Sequence, residues 1–182
     1  MTIRLATDED QDAIWAILEP MIRRGDTYPL PREMSKSQAL EYWFTPENEI
    51  FVWHDGGAVL GTYFLRANQR GGGAHVANCG YVTAAGAEGR GIARAMCLHS
   101  LQRSRERGFR AMQFNFVVST NNRAVKLLAV CLARFSTPST VLSMRWSCIS
   151  SSLEQGNRMS WTWTESLALN LPGEASRQIR HS

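Results

Sequence analysis

Apolar positions recur along this chain with two periods, and those periods sort it into elements. Ile14, Ile17, Leu18 and Met21 fall at i, i+3, i+4 and i+7, one helical stripe. Thr7 precedes them as a cap with Asp10 three residues on, a variant capping box, and Gly25-Asp26 ends the helix. Residues 2–6 ahead of the cap read as a first strand. Pro29 and Pro31 forbid helix in the loop that follows, and residues 35–44 predict a short second helix stopped before Pro46. Two strands, 49–55 and 58–68, meet at Asp55-Gly56-Gly57, a hairpin signal. Gly71-Gly72-Gly73 makes another turn, and 74–82 is the next strand. Residues 91–107 form a helix whose buried face starts at Ile92, Ala95 and Met96. Arg103, Arg105 and Arg107 crowd its end, where the macrodipole favours cations, and Gly108 closes it. Met112, Phe114, Phe116 and Val118 alternate along a further strand, and Asn121 caps the helix after it. From about residue 129 the periodicity weakens, Ser and Trp accumulate, and no element is assigned after Leu142. The order β-α-α-β-β-β-α-β-α is a mixed α/β domain with a helix crossing between two strands.

Composition narrows the class. The chain has 182 residues, 44% hydrophobic and 20% charged, which suits one globular domain with a real core. The net charge of +4 is not gathered into a tail, so nucleic acid is not the expected partner, while a mild positive bias suits an anionic ligand. The first residues lack the apolar stretch of a secretory signal, and no run approaches a membrane span, so the cytoplasm is the expected compartment. Cys79, Cys97, Cys131 and Cys148 lack CxxC spacing and read as reduced thiols, and the four histidines form no HxxxH pair, so no metal is expected.

The chemistry concentrates in "YVTAAGAEGRGIARAM", residues 81–96. Gly86, Gly89 and Gly91 strip side chains from the mouth of a helix, where free N–H groups and the helix dipole favour an anion such as a diphosphate. Arg90 and Arg94 add charge. A Walker loop needs Gly-Lys-Ser/Thr, and Gly91 is followed by Ile92-Ala93 instead. A dinucleotide fingerprint needs Gly or Ala where Arg94 stands, and belongs to a first βα unit.

The stretch Gly86-Ala87-Glu88-Gly89-Arg90-Gly91-Ile92-Ala93 resembles the acyl-CoA loop of the GNAT superfamily of N-acetyltransferases, matching at both later glycines and departing at Gly86, where Arg or Gln is usual. The likeness runs from Ile3 to about Leu127 and includes Asn121 and Ala124 of an Asn-x-x-Ala helix start. It implies the acyl-CoA N-acyltransferase fold: a central, mostly antiparallel sheet with a splayed central strand pair and flanking helices. It also implies acetyl-CoA as cosubstrate and a primary amine, on a small molecule or a protein, as acceptor, with a homodimer compatible and no nucleic acid or membrane partner. By the same resemblance Tyr81, Val82, Gly86, Ala87, Gly89, Arg90, Gly91, Ile92, Ala93 and Asn121 bind the cosubstrate. Backbone N–H groups near Tyr81 and Val82 polarise the thioester carbonyl. Tyr81, Asp26 and Tyr28 are the expected catalytic residues, with His75 and Asn78 as further candidates for the base. The position where the family often carries a Tyr as proton donor is Leu128, and leucine has no proton to give.

The tail departs from that resemblance, dividing the chain into a core, 1–127, and a divergent or frame-shifted region, 128–182. Reading begins at the third base of each codon from Leu128. Permitted codons then give Gly-Ser-Leu-Pro-Gly-Ala-Phe, and further on Val-Asp-Ala-Leu-Val-Met-Tyr, similar to the end of bacterial GNAT proteins. Met144 before a CGN arginine must yield Ala, and Trp146 before a TCN serine must yield Val. The remaining letters depend on wobble bases. On this reading about nine residues of helix end and turn are missing, the sheet edge beside 112–118 is left unpaired, and the chain is a catalytically impaired acyl-CoA-binding relic. On the alternative, a genuinely divergent tail, residues 152–171 form a terminal helix.

Overall fold

The computed structural model describes residues 1–118 and 121–135, and the strands at 143–147 and 163–168. Strand β1 (Thr2–Leu5) leads through a single 3-10 turn into α1 (Gln11–Arg24) and then α2 (Lys36–Trp43). The meander β2 (Glu49–Asp55), β3 (Ala58–Ala67) and β4 (Val76–Thr83) follows. Helix α3 (Ile92–Glu106) crosses to β5 (Ala111–Val118), and α4 (Asn122–Phe135) crosses to β6 (Ser143–Ser147), with β7 (Trp163–Ala168) last. The seven strands lie in sequence order in one sheet. The four pairs β1–β2, β2–β3, β3–β4 and β6–β7 are antiparallel, while β4–β5 and β5–β6 are parallel. No helix among the described residues is long and apolar enough to cross a membrane.

The local signals act as expected. The Asp10 carboxylate accepts from the Thr7 N–H at 2.8 Å and also takes Arg4 at 2.6 and 2.8 Å. Ser35 and Gln38 complete a reciprocal capping box on α2. The β2–β3 turn has Gly56 and Gly57 both at positive φ, the mirror-image geometry that matches the twist of a tight hairpin.

Alternation splits the core between two faces. Ile14, Leu18 and Ile22 of α1 and Trp43 of α2 bury against Val52, Phe64 and Val82. On the other face, Phe51, Tyr63, Leu65, Met112 and Phe114 pack under Met96, Cys97 and Leu101 of α3 and Leu128 and Cys131 of α4.

Two expectations about the tail change. The edge of β5 is not unpaired, because β6 lies parallel along it from Gln113↔Ser143 to Val118↔Ser147. Within the segment expected as a terminal helix, residues 163–168 form a strand paired with β6. The alternating apolar and polar letters of "WTESLA" suit a strand better than a helical stripe. Helix α4 also runs past Leu128 to Phe135 without a break. Phe116, whose side chain was expected on the Met112 face, lies outside the described side chains.

Candidate active site

The ladder between β4 and β5 stops early. It joins Val76↔Ala111, Ala77↔Met112 and Asn78↔Gln113, and no pair follows, although β4 continues to Thr83 and β5 to Val118. Asn78, buried on the α1/α2 face, stands at the point of divergence, where its side-chain Nδ2 donates to the Gln113 carbonyl at 3.0 Å. That bond extends the ladder by a side chain and pins the fork. Beyond it, the β5-facing backbone edge of residues 79–83 has no strand partner among the described residues, an opening into which an extended ligand can hydrogen-bond.

The glycine loop stands at the head of this opening. Ala84 N–H donates to the Leu60 carbonyl at 2.9 Å, and Ala87 N–H to the Ala84 carbonyl at 3.1 Å. The Ala87 side chain is buried beside Ile92, so the loop is anchored from below. Gly86, Gly89 and Gly91 have φ of 80, 78 and 79°, a region that side chains rarely adopt, and nothing among the described residues lies within 4 Å of where their Cβ atoms would be. The cradle is therefore open. Gly91 caps α3 by accepting from Ala95 N–H at 3.0 Å, which leaves the first-turn N–H groups of Ile92, Ala93 and Arg94 without partners inside the helix. These features fit a diphosphate. Arg90 lies on the same loop with its guanidinium on Asp55 of the β2–β3 hairpin at 2.9 Å, a partner the spacing of the sequence did not reveal. Asn121 holds the start of α4 through its side-chain oxygen, which accepts from Ala124 N–H at 3.1 Å.

Tyr28 is brought to β4. Its hydroxyl donates to the Tyr81 carbonyl at 3.5 Å and lies over Gly80, where a Cβ would come within 2.5 Å of the hydroxyl oxygen and 2.6 Å of the Phe64 ring. A glycine in the interior of a strand was the available signal for that close approach. Burial pushes the Tyr28 hydroxyl far up, so it stays protonated at neutral pH and acts as a donor. Tyr81 turns its own hydroxyl to the other face, 2.6 Å from Ser100 Oγ, and burial likewise raises it well above the usual phenol range. The Val82 side chain is in the α1/α2 core. Asp26 is exposed and meets Thr27 and Arg24. His75, at the foot of β4, is exposed with Nδ1 on the Gly72 carbonyl at 2.9 Å. The fold thus gathers Tyr28, Tyr81, Val82 and the glycine loop around one opening, and gives Asp26 and His75 no contact with it. Leu128 is buried in the α3/α4 core.

Comparison with known proteins is consistent with this geometry. The model of the acetyltransferase (GNAT) family matches residues 14–131, ending just past Leu128. A GCN5-related N-acetyltransferase from Kribbella flavida is 39% identical, over 71% of this chain and 79% of that one, with a TM-score of 0.68. The structure of yncA from Salmonella typhimurium, determined with its cofactor acetyl-CoA, covers 97% of this chain and 98% of its own at a TM-score of 0.69, and at 16% identity speaks to fold alone. N-acetyltransferase aca1 of Schizosaccharomyces pombe is 23% identical over 124 residues, so this chain spans little more than half, 58%, of that relative's length.

Proposed function

Because the chain belongs to the GNAT acetyltransferase family, we propose that it moves an acetyl group from acetyl-CoA to a primary amine by direct attack with both substrates bound. The observation that carries this reading is the fork between β4 and β5 with an open glycine cradle at its head. The thioester, when bound, supplies the activated acyl group. Gly86, Ala87, Gly89, Arg90, Gly91, Ile92 and Ala93 hold its diphosphate through backbone N–H groups and the Arg90 guanidinium, with Asn121 at the neighbouring helix start. The edge at Tyr81 and Val82 takes the pantetheine arm and aims N–H groups at the carbonyl where charge develops. Tyr28 fixes that backbone through the Tyr81 carbonyl and closes one side of the acceptor space. Water takes the amine proton, since Asp26 meets Thr27 and Arg24 outside the opening and neither Tyr28 nor Tyr81 ionises readily enough to do so.

Calorimetric titration with CoA, amide exchange, and thiol release across an amine panel test this. CoA should protect residues 86–94, and Gly89→Val should weaken CoA by about 1–3 kcal/mol through lost N–H contacts and a strained backbone. Unchanged affinity places the diphosphate elsewhere.

A second reading rests on the end of the family match beside Leu128. We propose that residues 128–182 come from a shifted reading frame and that the chain binds acyl-CoA with impaired turnover. CoA binding without thiol release in any amine supports it, and the codons around position 128 decide it.

A further inference from the structure

Two arginines among the described residues are half-buried, Arg66 and Arg103. Arg103 is held by Glu49 and Glu106. Arg66 meets no carboxylate among the described residues; its guanidinium lies over the Phe64 ring, 5.3 Å from the centroid. A cation that is partly desolvated costs free energy unless an anion meets it, and an aromatic face compensates only in part. Its place in the sheet supplies a reason. Arg66 of β3 is the register partner of Asn78, which is the partner of Gln113, so the three side chains form one row across β3, β4 and β5 on the α1/α2 face. That row lies at the point of the fork. One step along the same face, Phe64 pairs with Gly80, the residue beneath the Tyr28 hydroxyl. Two residues of strand put this second row about 7 Å from the first. The row is polar beyond Arg66 as well: Gln113 Nε2 donates to Asn115 Oδ1 at 2.9 Å, and Asn115 Nδ2 to Asn68 Oδ1 at 2.8 Å. These amides bond one another or backbone, so the guanidinium is the strongest donor left on this wall.

Resting on the acetyl-transfer reading above, we propose that Arg66 is a specificity-determining residue that docks an anionic oxygen group of the acceptor, so that the substrate class is a small amine carrying a carboxylate-like group. With that group on Arg66, the amine reaches toward Gly80 and the fork, where the acyl carbon is expected.

The test compares free α-amino acids with their carboxamides as acceptors, using the full chain, acetyl-CoA and thiol release. The acids should exceed the amides at least tenfold in kcat/KM. Arg66→Gln should bring that ratio within about twofold of one, chiefly by raising KM for the acids, while the amides change little. Arg66→Lys should keep part of the preference. Equal use of acids and amides by the unaltered chain, or a preference that survives Arg66→Gln, overturns the proposal. Calorimetry on the CoA-saturated chain separates this from failure of the transfer reading. Binding of the acids that is lost in Arg66→Gln supports the docking role even where no thiol is released, and no difference between acids and amides there overturns it. Thermal unfolding of Arg66→Gln and Arg66→Lys at equal midpoints excludes misfolding as the cause.

Discussion

Strand β4 is paired with β3 along seven residues and with β5 along three. On the β3 side, three antiparallel ladders run nearly the length of their strands, β1 reaching β2 through α1 and α2, a tight hairpin joining β2 to β3 and a loop joining β3 to β4, with one register shift at Trp53/His54. On the β5 side, each new parallel neighbour arrives through a crossover helix, and the registers break at Phe114/Val117 and again at Arg145/Ser147. The first half is a scaffold of nearly complete ladders. The second begins with an interruption, and the glycine loop, Tyr28 and Arg66 all border it. A binding site for an extended ligand needs unsatisfied backbone groups, and a complete ladder has none to offer.

The largest test makes the β5 side resemble the β3 side. Rebuilding the chain from codon 128 in the shifted frame, with the missing helix end restored, places an alternating Val-Asp-Ala-Leu-Val-Met-Tyr segment where the present chain has "LSMRWSCIS". An alternating strand buries one face fully, and a strand's worth of apolar area at roughly 25 cal/mol per Å² returns several kcal/mol to the fold. Urea unfolding should show a higher midpoint, and thiol release with an amine should rise. No gain in either identifies the tail as a divergence that belongs to this fold, as does a DNA sequence whose wobble bases forbid that peptide.

The same divide governs what the sequence discloses. The first four strands, both early helices and their caps are legible because each signal is local: the Thr7 and Asp10 pairing, the Ser35 and Gln38 box and the Gly56-Gly57 turn are complete within a few residues. The glycine loop is legible for the same reason, since positive φ at Gly86, Gly89 and Gly91 is a demand of local geometry. What joins distant residues was not legible. Asp55 lies 35 positions from Arg90, and Asn78 pins a fork formed with a strand beyond α3. Strands β6 and β7 were missed because "SMRWS" and "WTESLA" are short, and a strand so short is specified by the edge it joins.

Gly80→Val attacks the seam itself. The added side chain meets the Tyr28 hydroxyl and the Phe64 ring, both of which must shift, and overpacking of this kind costs about 3 kcal/mol. Adding Tyr28→Phe removes the nearest atom and should restore part of that loss, a coupling a double-mutant cycle measures. Additivity of the two substitutions would mean that Tyr28 does not rest on β4 in solution. Amide protection should fall on β4 and spare the β1–β2 ladder, which keeps the two sides distinct.

The smallest test belongs wholly to the scaffold side. Arg4 holds the Asp10 carboxyl down to about 2, with the Thr7 N–H assisting and burial opposing. In the unfolded chain Asp10 titrates near its ordinary value, so between that value and about 2 the unfolded state binds more protons. The stability from this pair is therefore present in full above about pH 4 and is lost as pH falls through 2. Arg4 is 43% exposed, so solvent screening reduces the contribution to about 1–2 kcal/mol. Arg4→Gln should lower stability by that amount at pH 7, and the gap to the unaltered chain should narrow steadily in urea titrations taken from pH 4 down to pH 2. A gap independent of pH would assign the loss to packing of the arginine stem. The same substitution should leave CoA affinity unchanged within about twofold, because a charge pair at the start of α1 supports the complete ladders and has no share in the interrupted one.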